Sequence, residues 1–290
     1  MIGIHDPACA EYGSYMRPEQ PARVLRTSAH LKTAHPDWEW RAPVPVEEAT
    51  VQLAHEPTLL ARLHKPVDFD DDTPWFDGIY HYAMASVGGA IAALDLALQG
   101  RRAFSLMRPP GHHATSNRAM GFCYLNQVAV AALEAHRRGV RRIGVWDFDA
   151  HHGNGTEEIL AEANGCLYVS VHQSPCYPGT GLQSHGNCAN FPVAPRTPRE
   201  NLLEVLRKSW NEILAFHPDV VVVSAGFDAY KNDPLAHLTL EVTDYASLGR
   251  WVRECGLPVA AVLEGGYSPD LPQLVESFLN AWDAPPAPPR

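Results

Sequence analysis

The amino-acid sequence predicts an α/β fold, with a mainly parallel sheet between two layers of helices in a three-layer αβα arrangement. Apolar, strand-like runs alternate with helical segments along most of the 290 residues, as expected when helices connect parallel strands. The four valines at residues 220–223 are typical of a strand that is buried on both faces. Because no linker or internal repeat interrupts this alternation, we expect residues 1–290 to form a single domain.

The predicted strands are short apolar runs bounded by turn-forming residues. In chain order they lie at residues 1–5, 103–107, 143–146, 166–171, 220–223 and 259–263. Two connecting stretches differ in composition: residues 36–50 contain several prolines, and residues 176–195 are rich in glycine, proline and asparagine. We expect the first stretch to be irregular and the second to be a long loop.

The predicted helices follow from apolar periodicity, alanine content and terminal signals. In chain order they lie at residues 21–35, 51–64, 78–98, 126–138, 156–163, 198–217, 244–255 and 269–282. Pro21 suits the first turn of the first helix, because a backbone N–H has no intrahelical partner there. The proline-rich residues 284–290 are expected to be disordered.

Composition and charge restrict the classes of partner. The chain has 23 basic and 33 acidic residues and a net charge of −10, which argues against nucleic acid, because phosphate binding needs a positive surface. No apolar run approaches membrane-spanning length, and no signal peptide is visible. The 6 cysteines contain no Cys-x-x-Cys pair, so we expect reduced thiols in a cytoplasmic protein that binds no membrane.

The most informative stretch is residues 143–155, where an apolar run turns into acids, imidazoles and glycines. Alternate side chains of an extended segment share a face, so Asp147, Asp149 and His151 can point the same way. Ligands of parallel α/β sheets gather at the carboxyl ends of the strands. Four predicted strand ends lead into polar loops that we expect at one rim, namely residues 108–113, 147–154, 224–233 and 264–267.

Three side chains of this rim, Asp149, His151 and Asp228, are candidate metal ligands. Each aspartate alone could cap a helix or hold a turn, but an Asp/His pair together with a further aspartate favours a metal site. Three protein ligands leave a position open for water and a substrate oxygen, as in catalytic zinc sites. Because carboxylate ligands are hard, iron(II), cobalt(II) and manganese(II) stay open beside zinc.

The tandem histidines His112 and His113 are candidates for proton transfer beside such a cation. Each needs a partner on its other ring nitrogen, and Asp147 and Asn154 lie at suitable places on the neighbouring loop. Tyr267 follows Glu-Gly-Gly, a turn that lets a phenol approach closely and stabilise an oxyanion. Its alternative role is that of a packed surface tyrosine.

These residues occur in blocks that resemble the histone deacetylase superfamily of zinc amidohydrolases. That superfamily includes acetylpolyamine amidohydrolases and acetoin-utilisation proteins and shares the arginase fold. The resemblance runs from about residue 17 to 282. The matching blocks are Arg-Pro-Pro-Gly-His-His-Ala (108–114), Gly-Phe-Cys-Tyr-Leu-Asn (121–126), Asp-Phe-Asp-Ala-His-His-Gly-Asn-Gly-Thr (147–156), Tyr-Pro-Gly-Thr-Gly (177–181), Ser-Ala-Gly-Phe-Asp-Ala (224–229) and Glu-Gly-Gly-Tyr (264–267).

The resemblance implies a role for each catalytic residue. His113 would be the general base and then the acid that protonates the leaving amine, while His112, paired with Asp147, would stabilise charge. Asn154 would be the partner of His113, and Tyr267 would donate to the oxyanion. The implied zinc ligands are Asp149, His151 and Asp228.

The resemblance also implies binding residues and a second cation. Gly121, Phe122 and Tyr177 would form the acyl-lysine tunnel, Asp72 would hold the substrate backbone at the rim, and Arg23 would lie in an internal exit pocket. A structural potassium ion would be bound by Asp147, Asp149, Ser170 and backbone oxygens that include those of His151 and Val171.

Three departures from the family pattern bear on function. Class I members carry an aspartate at position 154, so Asn154 predicts a less basic His113. Leu235 stands where polyamine-selective relatives have a glutamate, which favours acyl-lysine or another neutral N-acyl amine. The segment 181–190 is unusual, and His185 within it either lines the mouth of the site or lies on the surface.

The sequence therefore predicts a metal-dependent deacylase that acts on acyl-lysine, with an acetyl group as the expected acyl, in a protein or peptide. An acetylpolyamine amidohydrolase is the alternative, and the aspartates of residues 68–74 are either a solvated turn or an acidic lip for such a cationic substrate. A ureohydrolase is disfavoured because the two-metal aspartate pattern is not evident. A catalytically silent acyl-lysine binding module is disfavoured because the ligands, the histidine pair and the tyrosine are all present.

Overall fold

The computed structural model describes residues 1–285, which form an eight-stranded parallel sheet with helices on both faces. The α/β prediction is confirmed. The single-domain organisation of residues 1–290 stays a prediction. Of the predicted disordered tail, residues 286–290 lie outside the described residues, and Ala284 and Pro285 directly follow the last helix.

All described strands run parallel, in the order β2-β1-β3-β8-β7-β4-β5-β6. Their bounds are β1 Ile2–Ile4, β2 Glu39–Arg41, β3 Ala103–Ser105, β4 Ile143–Asp147, β5 Cys166–Gln173, β6 Cys188–Val193, β7 Val220–Ala225 and β8 Val259–Leu263. The helices are α1 Ala22–Ala34, α2 Glu48–Val51, α3 Pro57–Leu63, α4 Ile79–Leu98, α5 Gln127–Arg137, α6 Asn154–Leu160, α7 Arg199–Ala215, α8 Val242–Glu254 and α9 Leu271–Asp283.

The sheet separates two hydrophobic cores. Alternate residues of the valine strand β7 face opposite sides, with Val220 and Val222 in one core and Val221 and Val223 in the other. All four valines are fully buried, which explains why this strand is uninterrupted by polar residues.

Three sequence-based expectations about elements are wrong. The stretch 36–50 contains β2, and the stretch 176–195 contains β6. Both strands lie at edges of the sheet and pair on one side only, so they need no continuous apolar run. The helix expected at 51–64 is two short helices, α2 and α3, because α2 already ends at Val51 and α3 begins anew at Pro57.

The expectation that no apolar stretch reaches membrane-spanning length is also wrong. Among the described residues, the alanine-rich helix α4 is long and apolar enough by these two criteria. Its most apolar window is 67% buried inside the protein, and it packs on α5, β3 and β8. Burial of this kind is common for a central helix of a soluble core, so its length and composition are weak indicators of a membrane span.

The topology brings the four predicted polar loops together. They follow β3, β8, β7 and β4, which are consecutive neighbours in the middle of the sheet. Since all strands are parallel, the four carboxyl ends lie on the same edge, and the loops after them can form a single site.

Candidate active site

The metal-ligand candidates converge at the end of β4. One ligand atom from each of Asp149, His151 and Asp228 lies within 4.8 Å of the others, and all three side chains are buried. Nδ1 of His151 is 3.2 Å from Oδ1 of Asp149 and 2.9 Å from Oδ2 of Asp228. The donor set is therefore two carboxylate oxygens and one imidazole nitrogen around a common point, which suits a divalent cation.

The electrostatics of this cluster also fit a cation. Burial, and then the neighbouring Asp149 carboxylate, raise the pKa of Asp228 to about 7. Burial acts in the same direction on Asp149, but His112 and His151 outweigh it and hold the pKa of Asp149 below its ordinary value. A cation between the two carboxylates would relieve their repulsion and keep both ionised.

A glycine allows the backbone to close over these carboxylates. The Gly265 N–H donates to Oδ2 of Asp149 over 2.7 Å. A Cβ on Gly265 would overlap both carboxylates, so the turn after β8 requires glycine there. Among the described residues, Asp149, His151 and Asp228 form the one group of three or more histidine, cysteine, aspartate or glutamate side chains that are close enough to hold a metal ion. The donors do not distinguish zinc from iron(II), cobalt(II) or manganese(II).

The tandem histidines carry opposite pKa shifts. Nδ1 of His112 donates to Oδ2 of Asp147 over 3.1 Å. Burial lowers the pKa of His112, but Asp149 and Asp147 outweigh burial and raise it to about 10. For His113, burial and then the positive charge on neighbouring His112 hold the pKa well below its ordinary value. His112 is therefore a cation near neutral pH, and His113 is a neutral imidazole that can accept a proton.

Asn154, the first residue of α6, fixes the tautomer of His113. Nδ1 of His113 donates to Oδ1 of Asn154 over 2.8 Å. The other ring nitrogen, Nε2, is then the free acceptor. The expected His112–Asp147 and His113–Asn154 pairs are both present as hydrogen bonds.

A residue whose role the sequence reasoning missed holds the histidine loop. Glu264, fully buried directly after β8, accepts from the Gly111 N–H over 2.7 Å and from the His112 N–H over 3.2 Å. Burial raises its pKa to about 7. Two consecutive amides bound to one carboxylate oxygen fix the direction of the loop that carries both histidines. The signal available in the sequence was an acid immediately after a buried strand, as at Asp147.

Tyr267 lies in the same site and is held from several sides. Its backbone N–H donates to Oδ2 of Asp233 over 2.8 Å, and Oδ1 of Asp233 accepts from the Leu235 N–H over 2.9 Å. The Arg23 guanidinium lies 4.8 Å from the centre of its ring, and the Phe122 ring packs edge-on at 5.7 Å. Burial raises the pKa of Tyr267 well above its ordinary value, so the phenol stays protonated and can donate.

A pocket of about 320 Å³ leads to the ligand cluster. Its walls include all of the sequence-predicted binding residues Asp72, Gly121, Phe122, Tyr177 and Leu235, together with the predicted catalytic or ligand residues His113, His151 and Tyr267. Arg17, Pro18 and Cys176 also line it, and the sequence reasoning had not assigned them to the site. The roles of all these residues stay predictions.

Gly121 illustrates how narrow the pocket is. Its φ is +56°, a left-handed conformation that favours glycine. A Cβ there would lie 2.7 Å from Cδ2 of His113 and 2.9 Å from Cε1 of Tyr177. The Tyr177 ring packs edge-on against His113 with 5.1 Å between centroids. Side chains thus enclose a slot beside His113 that any substituent on Gly121 would block.

The acidic loop at residues 68–74 is part of the pocket wall. Thr73, fully buried, accepts from the Phe122 N–H over 3.1 Å, and Phe69 packs edge-on against Tyr124. The loop is therefore anchored to the segment that carries Phe122. Asp72 is exposed at the mouth, which leaves its carboxylate free to meet a ligand.

The structure also places residues of the two other predicted sites, the internal exit pocket and the potassium site. Arg23 is buried, donates to the backbone oxygens of Glu264 and Gly266, and lines a separate cavity of about 110 Å³ behind Tyr267. For potassium, Asp147 of β4 and Ser170 of β5 are register partners, and both are fully buried. Val171 follows Ser170 on β5. The potassium site itself stays a prediction.

His185 lies on the surface and is absent from the residues that line the described pocket. Its side chain is 56% exposed, and its Nε2 lies 3.2 Å from Oε1 of Glu157. Glu157, on α6, also contacts His152 at 3.3 Å. Of the two open positions for His185, the surface position is the one observed.

The chain is similar to one protein family and to several individual proteins along most of its length. The family model for the histone deacetylase domain matches residues 17–282. An uncharacterised protein of Synechocystis sp. is 37% identical over 283 residues, covering 91% of this chain and 91% of that protein. The acetylpolyamine amidohydrolase of Mycoplana ramosa is 37% identical over 202 residues, which are 66% of this chain and 59% of that protein. The crystal structure of an acetylpolyamine aminohydrolase from Burkholderia pseudomallei matches with a TM-score of 0.91 at 27% identity, covering 98% of this chain and 99% of that one.

Proposed function

Because the chain belongs to the histone deacetylase family, whose members are enzymes that hydrolyse amide bonds, we propose that it removes an acyl group from the side-chain amine of acyl-lysine, with acetyl as the expected acyl group. The observation that carries this proposal is the pocket of about 320 Å³ between exposed Asp72 and the buried His113 and His151, with half-buried Tyr267 in the same wall. An extended alkyl amine that enters beside Asp72 would bring its amide to His113, His151 and Tyr267.

Asp149, His151 and Asp228 would hold a divalent cation, for which we propose zinc. When bound, such a cation would act as a Lewis acid on the amide carbonyl and make water a stronger nucleophile at neutral pH. The distances among the three ligand atoms and the repulsion between the two carboxylates support a divalent cation at this place. We also propose the structural potassium ion beside Asp147 and Ser170.

His113 would move the proton. It is neutral and its Nδ1–H donates to Asn154, so its Nε2 can accept a proton from the attacking water and return it to the leaving amine. Cationic His112, held by Asp147, would stay protonated and stabilise the negative charge that develops beside it. One histidine thus acts as base and acid while its neighbour supplies a fixed charge.

Tyr267 would stabilise the tetrahedral oxyanion. Its phenol is protonated and lies at the wall of the pocket. Asp233 holds its backbone N–H, and Arg23 and Phe122 contact its ring, so little reorganisation is needed when charge appears on the carbonyl oxygen.

An acylated polyamine is the second candidate substrate, and specific observations favour it. Two of the similar proteins are named for acetylpolyamine hydrolysis, and Asp72 at the mouth could bind a cationic amine. Apolar Leu235 at the same mouth favours a neutral contact instead, which is why acyl-lysine is proposed first. A cytoplasmic location stays a prediction.

Hydrolysis assays test the proposal. Acyl-lysine peptides with acyl groups of several lengths would be compared with N-acetylputrescine and N-acetylspermidine, with and without a chelator. We expect turnover of the acyl-lysine peptides, inhibited by the chelator. Turnover of none of the substrates would contradict the enzymatic proposal and support a silent binding module. A strong preference for the polyamines would replace the first candidate by the second.

A further inference from the structure

The mouth of the pocket carries two opposite charges that do not neutralise one another. Arg17 and Asp72 both line it. Among residues 1–285, neither side chain has an oppositely charged group within 4.0 Å. A guanidinium and a carboxylate are therefore both available, at the mouth of the pocket, to the outer end of a bound molecule.

Both charges lie on segments that the structure holds in place. Nη1 of Arg17 donates to the backbone oxygen of Asp71 over 2.9 Å, and this contact joins the N-terminal loop to the acidic loop. The Asp72 N–H donates to Oδ1 of Asp70 over 3.1 Å, and the next residue, Thr73, is bonded to the backbone of Phe122. A guanidinium has five N–H donors, and within residues 1–285 that of Arg17 uses one of them, for Asp71, so the others can bind a ligand. A hydrogen bond to a carbonyl also leaves the positive charge of Arg17 in place.

The chemistry of the substrate determines what these charges meet. With its amide bound beside His113, an acyl-lysine would extend toward the mouth, so that its α-carbon would lie near Arg17 and Asp72. In a free amino acid that carbon carries an ammonium and a carboxylate. Inside a protein the same positions are neutral amides, and in an acylated polyamine only the ammonium is present.

We propose that the mouth is a subsite for a zwitterion, so that the preferred substrate is a free Nε-acyl amino acid with its α-carboxylate on Arg17 and its α-ammonium on Asp72. This inference rests on the proposed deacylase function and names its substrate class. A guanidinium binds a carboxylate through parallel N–H donors, whereas it repels the ammonium groups of a polyamine. Arg17 is therefore the residue that separates amino-acid substrates from polyamine substrates.

A matched pair of substrates isolates the α-carboxylate. N-acetylcadaverine is Nε-acetyl-lysine without that group, and both carry an ammonium at the same position. The experiment measures kcat/KM for both compounds with the unaltered protein, R17Q and R118Q. Arg118 is the control. Its exposed guanidinium lies 4.0 Å from Asp70, which is on the same acidic loop as Asp72, but Arg118 is not among the residues that line the pocket.

The unaltered protein and R118Q should hydrolyse Nε-acetyl-lysine more efficiently than N-acetylcadaverine by about two- to fivefold, the range of a partly exposed ion pair. R17Q should lose this preference through a higher KM for Nε-acetyl-lysine, while kcat/KM for N-acetylcadaverine stays the same or rises. D72N should lower kcat/KM for both compounds, because both carry the ammonium.

The outcomes separate the subsite from the function. Equal kcat/KM for the two compounds in the unaltered protein, or an equal loss for both in R17Q, would overturn the subsite while leaving amide hydrolysis intact. Hydrolysis of neither compound, with acyl-lysine peptides also unreactive, would overturn the proposed function itself. Turnover of peptides with an internal acyl-lysine at a higher kcat/KM than the free amino acid would likewise overturn the zwitterion subsite alone.

Discussion

Nδ1 of His113 lies 2.8 Å from Oδ1 of Asn154, so the partner of the proposed base is a neutral amide. An amide oxygen fixes the tautomer of the imidazole but adds no negative charge. Burial and then cationic His112 hold the pKa of His113 well below its ordinary value, and Asn154 offsets this only weakly. The pair therefore favours a base that is neutral across the whole neutral pH range.

Replacing the amide by a carboxylate should move the acidic limb of the pH–rate profile. In N154D the new negative charge would favour protonated His113 and raise its pKa. Since the base must be neutral to act, kcat/KM should then fall off at a higher pH than in the unaltered protein. The measurement is kcat/KM from pH 5 to 9. An unmoved acidic limb, with activity and metal content retained, would show that Asn154 does not tune His113.

Glu264 should be a positioning residue for the two histidines. Its carboxylate holds the backbone N–H groups of Gly111 and His112, so E264A should let that loop shift. A displacement of about 1 Å at a catalytic group can cost about 100-fold in rate. We expect a lower kcat with little change in KM and with metal content intact, measured by steady-state kinetics and elemental analysis.

Conservative replacement is the control for this prediction. E264Q keeps an oxygen acceptor and should restore much of the kcat lost in E264A. S224A removes a hydroxyl that lies 3.4 Å from the other oxygen of Glu264 and should have a small effect. If E264Q and E264A were equally impaired, or if both lost the metal, Glu264 would have a general structural role instead.

The sequence predicted the central strands of the sheet well and its edges poorly. Strand β8 lies where it was expected, at residues 259–263, because burial on both faces requires an uninterrupted apolar run. The missed strands β2 and β6 are the two edges. Residues of β2 such as Glu39 and Arg41 are exposed, and β6 contains a proline at position 192, which is tolerated at an edge. Their hydrogen bonds come from partners distant in sequence, which local patterns do not reveal.

The same distinction holds for the site. Asp149, His151 and the histidine pair were identifiable because their spacing and neighbours are local and chemically unusual. Asp233 and Arg17 were not assigned roles, because their contacts join loops far apart in the chain: Asp233 binds a backbone N–H 34 residues away, and Arg17 a backbone oxygen 54 residues away. Such contacts depend on the strand order, which the sequence did not provide.

Removal of a cation from the ligand cluster should lower both activity and stability. A ligand that binds only the folded state stabilises it in proportion to the logarithm of its concentration over Kd, about 4 kcal/mol at roughly a thousandfold excess. A chelator should therefore lower Tm by several degrees and abolish hydrolysis, and added zinc should restore both. D228N is the control, since a chelator should not lower its Tm further. Recovery with iron(II) or cobalt(II) but not with zinc would contradict the proposed zinc.

His55 should make the protein less stable in mild acid. Its Nδ1–H donates to the Thr115 backbone oxygen over 2.9 Å, and its Nε2 accepts from the Asn126 N–H over 2.8 Å, so only the neutral ring fits. Burial lowers its pKa from 6.5 to about 4. The unfolded chain therefore takes up a proton below pH 6.5 that the folded chain refuses until about pH 4, and stability falls as the pH falls through this window.

The expected loss from this one group is about 2 kcal/mol between pH 7 and pH 5. It is measured as the free energy of unfolding in denaturant at both pH values. H55Q can replace both hydrogen bonds without titrating, so it should show a smaller loss over the same interval, whatever its stability at pH 7. An identical loss in H55Q would mean that other groups account for the acid sensitivity.

Tyr267 gives the sharpest test of the catalytic geometry, because its contacts separate positioning from chemistry. Asp233 holds its backbone N–H and Arg23 contacts its ring, and neither contact uses the phenol oxygen. Y267F should therefore keep the ring in place and lose only the donor, lowering kcat by about 100- to 1,000-fold, as for other oxyanion donors, with KM and metal content nearly unchanged. Steady-state kinetics with elemental analysis would measure this. A variant that kept most of its kcat would show that the oxyanion is stabilised elsewhere, by cationic His112 and the bound cation alone.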